Sequence, residues 1–224
     1  IPGATMSTPL FPDYQERVLE GLFYEGIRRW RDEEAPDELR VVAAEKIEEA
    51  YRQGAVALSL AGLKLTSLPA EMNCLSKLES LDLNKNRLAT LPQNMTDLVQ
   101  LKSLGLSENC LEVLPECLKH FVNLELLRLD SNQLIALSEP LWTLENLRSL
   151  SVTHNLITML PADVARLKNL QNLYLSDNCL VGLPAEIGEL SALQQLNIER
   201  NNLRELPEAM TNLSLLEELY LTEN

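Results

Sequence analysis

The chain has 224 residues, 46% of them apolar and 23% charged, and carries a formal charge of -14. It contains no run of about 18 uncharged apolar residues, which excludes an α-helical membrane span, and acidity of this size argues against nucleic acid and anionic membranes as partners. The charge is spread, -5 on residues 1–54 and -9 on the remainder, so it also keeps an aliphatic-rich chain soluble.

Residues 1–11 read as a lead without structure, in which Ile1-Pro-Gly-Ala-Thr5 before Met6 has the character of a cloning remnant. No basic-then-apolar signal peptide follows. From Pro12 to Arg31, Val18, Leu19, Leu22, Phe23, Ile27 and Trp30 recur at three- and four-residue steps, predicting a helix with one apolar stripe. Asp13 suits its N-cap, with Glu16 completing a capping box. A second helix is predicted to start near Ala35-Pro36-Asp37, where proline suits the first turn, and to end at Arg52 or Gln53 before Gly54. Its stripe is Leu39, Val42, Ala43, Ile47, Ala50 and Tyr51. The pair, residues 12–54, is expected to form a hairpin that caps whatever follows.

From Ala55 onward a pattern L-x-x-L-x-L-x-x-N-x-L-x-x-L-P repeats every 23 residues, marked by Leu58, Leu81, Leu104, Leu127, Leu150, Leu173, Leu196 and Leu219. A fixed period of this length with this leucine spacing resembles the leucine-rich repeat, a solenoid whose units bury a core only by stacking. The fold class expected is α/β, with a parallel concave sheet, an irregular or 3₁₀ convex side and a helical cap, over about eight repeats in residues 55–224. Leu63 stands where later units carry asparagine, as an atypical first unit against a cap should. Asn224 is the asparagine of an eighth unit, from which a continuation beyond it is expected.

Within each unit the alternating leucines face the core, and Ser80, Asp82 and Asn84 exemplify the outward set. The asparagines Asn86, Asn109, Asn132, Asn155, Asn178, Asn201 and Asn224 fall where the chain leaves the strand. An amide there supplies donor and acceptor to a buried turn, a structural role. The proline after each unit's last leucine favours a single-turn convex segment. One unit departs, with Ser138 for the proline, Pro140 two residues on and then Trp142; a local bulge with a partly exposed tryptophan is one expectation, and a packed core edge is the other.

The scaffold does not dictate the outward residues, so they carry the functional information. Early units are bland there; later ones offer Leu126, Arg128, Asp130, Ser151, Thr153, His154, Tyr174, Ser176, Asp177, Asn197, Glu199, Arg200 and Tyr220. Tyrosine and arginine most often supply interface energy, so this concave region is the candidate partner footprint. A merely solvated face is the competing reading. Phosphate-loop, zinc-protease and nucleophile-elbow motifs do not occur, and His154, near Asp130 and Asp177 by register, has no accompanying nucleophile. No catalytic residue, metal ligand or cofactor is assigned. Cys74, Cys110, Cys117 and Cys179 show no C-x-x-C spacing and fit a reducing compartment.

The segment Trp30-Arg-Asp-Glu-Glu-Ala35-Pro36-Asp-Glu-Leu-Arg40, continued by Gly54-Ala-Val-Ala-Leu58-Ser-Leu60, resembles the helical lead-in to the repeats of bacterial type III secreted effectors of the IpaH, YopM and XopL kind. The resemblance implies a monomeric recruiter of a host protein, delivered into the host cytoplasm without a signal peptide. In some members a separate C-terminal ubiquitin-ligase domain, working with a ubiquitin-conjugating enzyme, uses a cysteine in a C-x-D motif. None of the four cysteines here begins that motif, so no ligase residue carries over. The 23-residue period departs from the 20 residues usual in IpaH and YopM, and is similar both to the repeats of XopL-type effectors and to Ras-group and LAP repeat proteins. The second similarity implies the alternative, a cytoplasmic signalling scaffold with no attached enzyme.

Overall fold

A computed structural model describes residues 12–35 and 37–224, with side-chain surroundings described from Glu16 onward. The lead, the Asp13 side chain and Pro36 therefore lie outside the described residues. Helix α1 spans Pro12–Arg31 and helix α2 spans Arg40–Gln53. Gly54 ends α2 in the left-handed region at φ 58, donating to the carbonyls of Ala50 and Tyr51, as its lack of a Cβ permits.

Helix α2 begins at Arg40, later than the predicted 35–37 start. The Leu39 N–H donates 3.0 Å to the Leu63 carbonyl, so Leu39 joins the first repeat instead of a helical turn. The buried stripes are also narrower than predicted: Phe23, Ile27 and Trp30 on α1, and Ala43, Ala44, Ile47 and Ala50 on α2, are buried, whereas Val18, Leu19, Leu22, Leu39 and Val42 are exposed. The half-buried Tyr51 stacks on Phe23, ring centroids 3.9 Å apart.

Among the described residues eight three-residue strands form one parallel sheet in chain order. They are β1 (Ala57–Ser59), β2 (Ser80–Asp82), β3 (Ser103–Gly105), β4 (Leu126–Arg128), β5 (Ser149–Ser151), β6 (Asn172–Tyr174), β7 (Gln195–Asn197) and β8 (Glu218–Tyr220). Every pairing joins residues 23 apart, as Leu81 with Leu104 and Leu104 with Leu127. The period thus becomes the register. The central leucines from Leu58 to Leu196 are buried, and one core runs from Phe23 and Ile27 through the stack to Ile198.

The convex side is built mainly from 3₁₀ turns, Ala70–Cys74, Glu116–His120, Ala162–Arg166, Ala185–Glu189 and Glu208–Asn212. Each follows an extended proline, Pro69, Pro115, Pro161, Pro184 or Pro207, as the repeat predicts. The deviant unit forms instead a single α-helical turn, α3 (Glu139–Trp142). Trp142 is 2% exposed, so the packed reading holds and the partly exposed one does not. Pro140 stands in the first turn, where its missing N–H would have no helical partner.

The asparagine ladder is structural. The Asn132 Oδ1 accepts from the Leu111 N–H at 2.9 Å while its Nδ2 donates to the carbonyls of Leu106 and Leu129 at 2.9 and 3.0 Å. Buried backbone groups of adjacent units are thereby satisfied by one amide. The preceding residue is left-handed in each unit, Lys85, Glu108, Ser131, His154, Asp177, Arg200 and Glu223 having φ between 50 and 59. Because the strain recurs throughout, at His154, Asp177 and Arg200 it reflects the turn and not a site.

Candidate partner-binding surface

Parallel pairing sets the candidate residues in rows. Across the middle of the sheet run Gly105, Arg128, Ser151, Tyr174, Asn197 and Tyr220. Adjacent strands lie about 4.8 Å apart, so β4 to β8 span roughly 19 Å of concave surface. Leu126, at the start of β4, is half-buried and pairs with Ser103 and Ser149.

Most polar members are already engaged with one another. Asp130 accepts from the Ser107 hydroxyl at 3.1 Å, from the Thr153 N–H at 3.0 Å and from the Ser151 hydroxyl. The Ser176 hydroxyl donates to the Asn197 Oδ1 at 2.6 Å, which also takes the Glu199 N–H at 3.1 Å; Thr222 donates to Glu199. Tyr174 Oη donates to Gln195 at 2.6 Å, and Tyr220 Oη to Glu218 at 2.7 Å. That bond to the Glu218 carboxylate pushes the Tyr220 phenol up from its ordinary value.

Along the sheet's edge a charge ladder links His154, 3.6 Å from Asp177, to Arg200, 3.5 Å from the same carboxylate and 3.1 Å from Glu223. The hydrogen bond that Arg200 donates to Glu223 and the neighbouring charges of Glu223 and Asp177 raise the guanidinium further. His154 thus meets Asp177 but not Asp130. At that separation Asp177 orients the His154 imidazole. No cluster of three or more His, Cys, Asp or Glu poised for a metal is found among the described residues.

Arg128 differs. It is exposed, and it reaches no carboxylate within ion-pair distance among the described residues. Its row neighbours are Gly105 and Ser151. A Cβ on residue 105 would lie 2.7 Å from the Asn84 amide, which crosses there to accept the Ser107 N–H at 2.7 Å. Arg128 therefore stands exposed between small row neighbours, one of them covered by Asn84, with Tyr174 the next large side chain along the row. The candidate list omitted the opposite edge, where Lys102 meets Glu79 at 2.7 Å, Arg148 meets Glu125 at 3.4 Å, and a polar cleft of ≈ 390 Å³ is lined by Asn123, Asn146 and Asn169 among others. The alternation Glu79, Lys102, Glu125, Arg148 at the repeat period was the available signal.

The leucine rich repeat family model matches residues 76–134 and 145–203, more than half of the chain. The chain belongs to the leucine-rich repeat family. Among solved structures, a leucine-rich-repeat protein of Leptospira interrogans is similar at 38% identity and TM-score 0.70, over 72% of this chain and 41% of that one. The plant peptide hormone receptor RGFR1, solved in complex with RGF2, is similar at 32% identity and TM-score 0.67, over 75% of this chain and 28% of the receptor. The chain thus spans less than half the length of either protein. No curated protein matches. A leucine-rich-repeat domain is a protein-recognition module.

Proposed function

We propose that the concave face from β4 to β8 recruits a partner protein through Arg128, Leu126, Tyr174 and Tyr220, and that the chain serves as the target-selecting part of a bacterial effector delivered into a host cell. The observation that carries the binding site is the exposed Arg128, which has no ion-pair partner among the described residues, in a surface whose other polar groups have already satisfied each other. An arginine that gains its first carboxylate on binding, beside a tyrosine held in place by Gln195, is the usual composition of an energetic anchor. The partner presents an acidic side chain or chain terminus to Arg128 and an apolar group to Leu126 and Tyr174. The effector role is supported by the Trp30-to-Arg40 lead-in and by the likeness to a bacterial repeat protein. Ligase chemistry is not assigned to any residue of this chain. The 23-residue period supports the scaffold alternative, in which the same face binds without a secreted role.

The experiment is affinity capture from plant and animal lysates, followed by titration of the retained protein against the native chain and the Arg128→Ala/Tyr174→Ala double variant. Loss of about two anchors should weaken binding roughly a hundredfold. Equal affinity for both forms refutes the concave site. A retained protein of bacterial origin in a parallel bacterial lysate, with none from either host, refutes the effector role.

A further inference from the structure

The flank between the strands and the convex turns carries a feature that the repeat does not require. Here the chain forms a second ladder: the N–H groups of Cys110, Gln133, Leu156 and Cys179 donate to the carbonyls of Leu88, Leu111, Leu134 and Ile157 at 2.9–3.0 Å. The inward residues Leu111, Leu114, Leu134, Leu137, Ile157 and Leu160 fill the core. Between them Val113, Ile135, Leu156, Met159 and Val181 point outward and are 64%, 61%, 51%, 68% and 53% exposed. The outward places in neighbouring units hold Arg87 and Thr90 on one side and Arg204 and Glu205 on the other, so the stripe is confined to the third to sixth repeats. Apolar residues gathered in this way on adjacent units mark a contact surface, since isolated ones would need no explanation.

The border defines the occupant. Three to five residues farther along each of these units stands the acid that opens its convex turn, Glu116, Glu139, Asp163 or Glu186. Asp163 and Glu186 reach no basic group within ion-pair distance among the described residues. A second copy of this chain would bring two acidic borders together, each on a molecule of charge -14, and an anionic membrane would be repelled likewise. The N–H groups of Cys110, Gln133, Leu156 and Cys179 are spent on that ladder, and each of these units is flanked by its neighbours in the stack, so an added strand finds no free sheet edge along them. A helix, whose backbone is already satisfied, meets no such obstacle. Four units at about 4.8 Å cover roughly 14 Å, the length of about ten helical residues.

We propose that this flank is a second docking surface, separate from the concave face, for an amphipathic helix of a partner protein with lysine or arginine beside its apolar stripe. The probe is a labelled Leu/Lys peptide of about 18 residues with leucines at i, i+3, i+4 and i+7, compared with a scrambled peptide of equal composition. Fluorescence anisotropy is measured for the native chain, for Ile135→Glu/Met159→Glu and for Arg128→Ala/Tyr174→Ala. The altered flank residues are exposed, and thermal melts check that the variants stay folded. The native chain should favour the patterned over the scrambled peptide by at least about tenfold, the flank variant should lose that preference, and the concave variant should keep it. Equal binding of both peptides, or an unchanged flank variant, overturns the proposal. So does self-association of the native chain in sedimentation that the flank variant abolishes, or binding to phosphatidylcholine vesicles, either of which assigns the stripe to another occupant.

Discussion

Arg40 explains why the Trp30-to-Arg40 motif has its spacing. The guanidinium lies 5.0 Å over the Trp30 ring, donates at 2.7 Å to the Trp30 carbonyl and to Glu33, at 2.8 Å to Glu38, and at 3.1 Å to Ser67 in the first repeat. Ser67 also receives the Trp30 indole N–H at 3.2 Å. One planar fork thereby fastens both cap helices to the solenoid, a task lysine's point charge does not reproduce. Arg40→Ala leaves Glu38, whose side chain is 5% exposed, without its counter-ion. We expect a loss of about 3 kcal/mol in urea unfolding, with Arg40→Lys between that and the native protein. The effect carries a pH signature. Burial alone raises the Glu38 carboxyl, but the hydrogen bonds from Arg40 and Thr66 outweigh it and hold the group below its ordinary value. A depressed carboxyl contributes stability in full above its unfolded value, near 4.5, and loses it as pH falls through the lower folded value. Acid unfolding of Arg40→Ala should therefore depend less steeply on pH below about 4.5 than that of the native chain.

At the scale of elements, the 3₁₀ turns are short, and all but Glu208–Asn212 are anchored by one or two buried residues. In Glu116–His120 these are Cys117 and Leu118. Burial pushes the Cys117 thiol up to about 11, so almost no thiolate exists at pH 8. Its 2% exposure denies a reagent access as well. Labelling with a thiol-specific reagent at pH 8 should modify the exposed Cys74 while sparing Cys117 until the turn opens. Modification of Cys117 as fast as Cys74 in native protein contradicts this packing. Much of this element layer was legible from sequence: the prolines announced the turns and Gly54 announced the end of α2. The start of α2 was misread because proline's preference for a first turn is local, whereas the competing bond from Leu39 reaches Leu63, 24 residues away. The exposed half of the α1 stripe was misread for the same reason: period 3.6 identifies a helix face without saying how much of it a neighbour covers.

For the whole molecule, stability passes from unit to unit, and an exposed end unit weakens the stack. The cap and the first repeats share one core, in which Ile27 and Ile47 join Leu60, Leu65 and Met72, all 0% exposed. A chain beginning at Ala55 would expose those leucines to water. It should aggregate or melt well below the intact chain in circular dichroism, and an unchanged melting temperature would show the cap to be dispensable. The two proposed surfaces lie on different walls of this stack, which is why the concave and flank variants separate them.

The repeat by itself determined the solenoid, its register and the asparagine ladder, because these depend on a period that each unit imposes on the next. The same register placed Asp177 between His154 and Arg200, since residues 23 apart become neighbours in adjacent units. Only the tertiary structure decided which outward residues are free. Asp130 is consumed by three donors from two other units, and Tyr174 reaches diagonally to Gln195, both matters of rotamer and reach that no period encodes. Arg128 reaches no carboxylate within ion-pair distance among the described residues, and the flank stripe comes together because Val113, Ile135, Met159 and Val181 stay exposed on adjacent units of the stack. Periodicity specifies which residues face inward; side-chain packing between units settles what the outward ones are left to do.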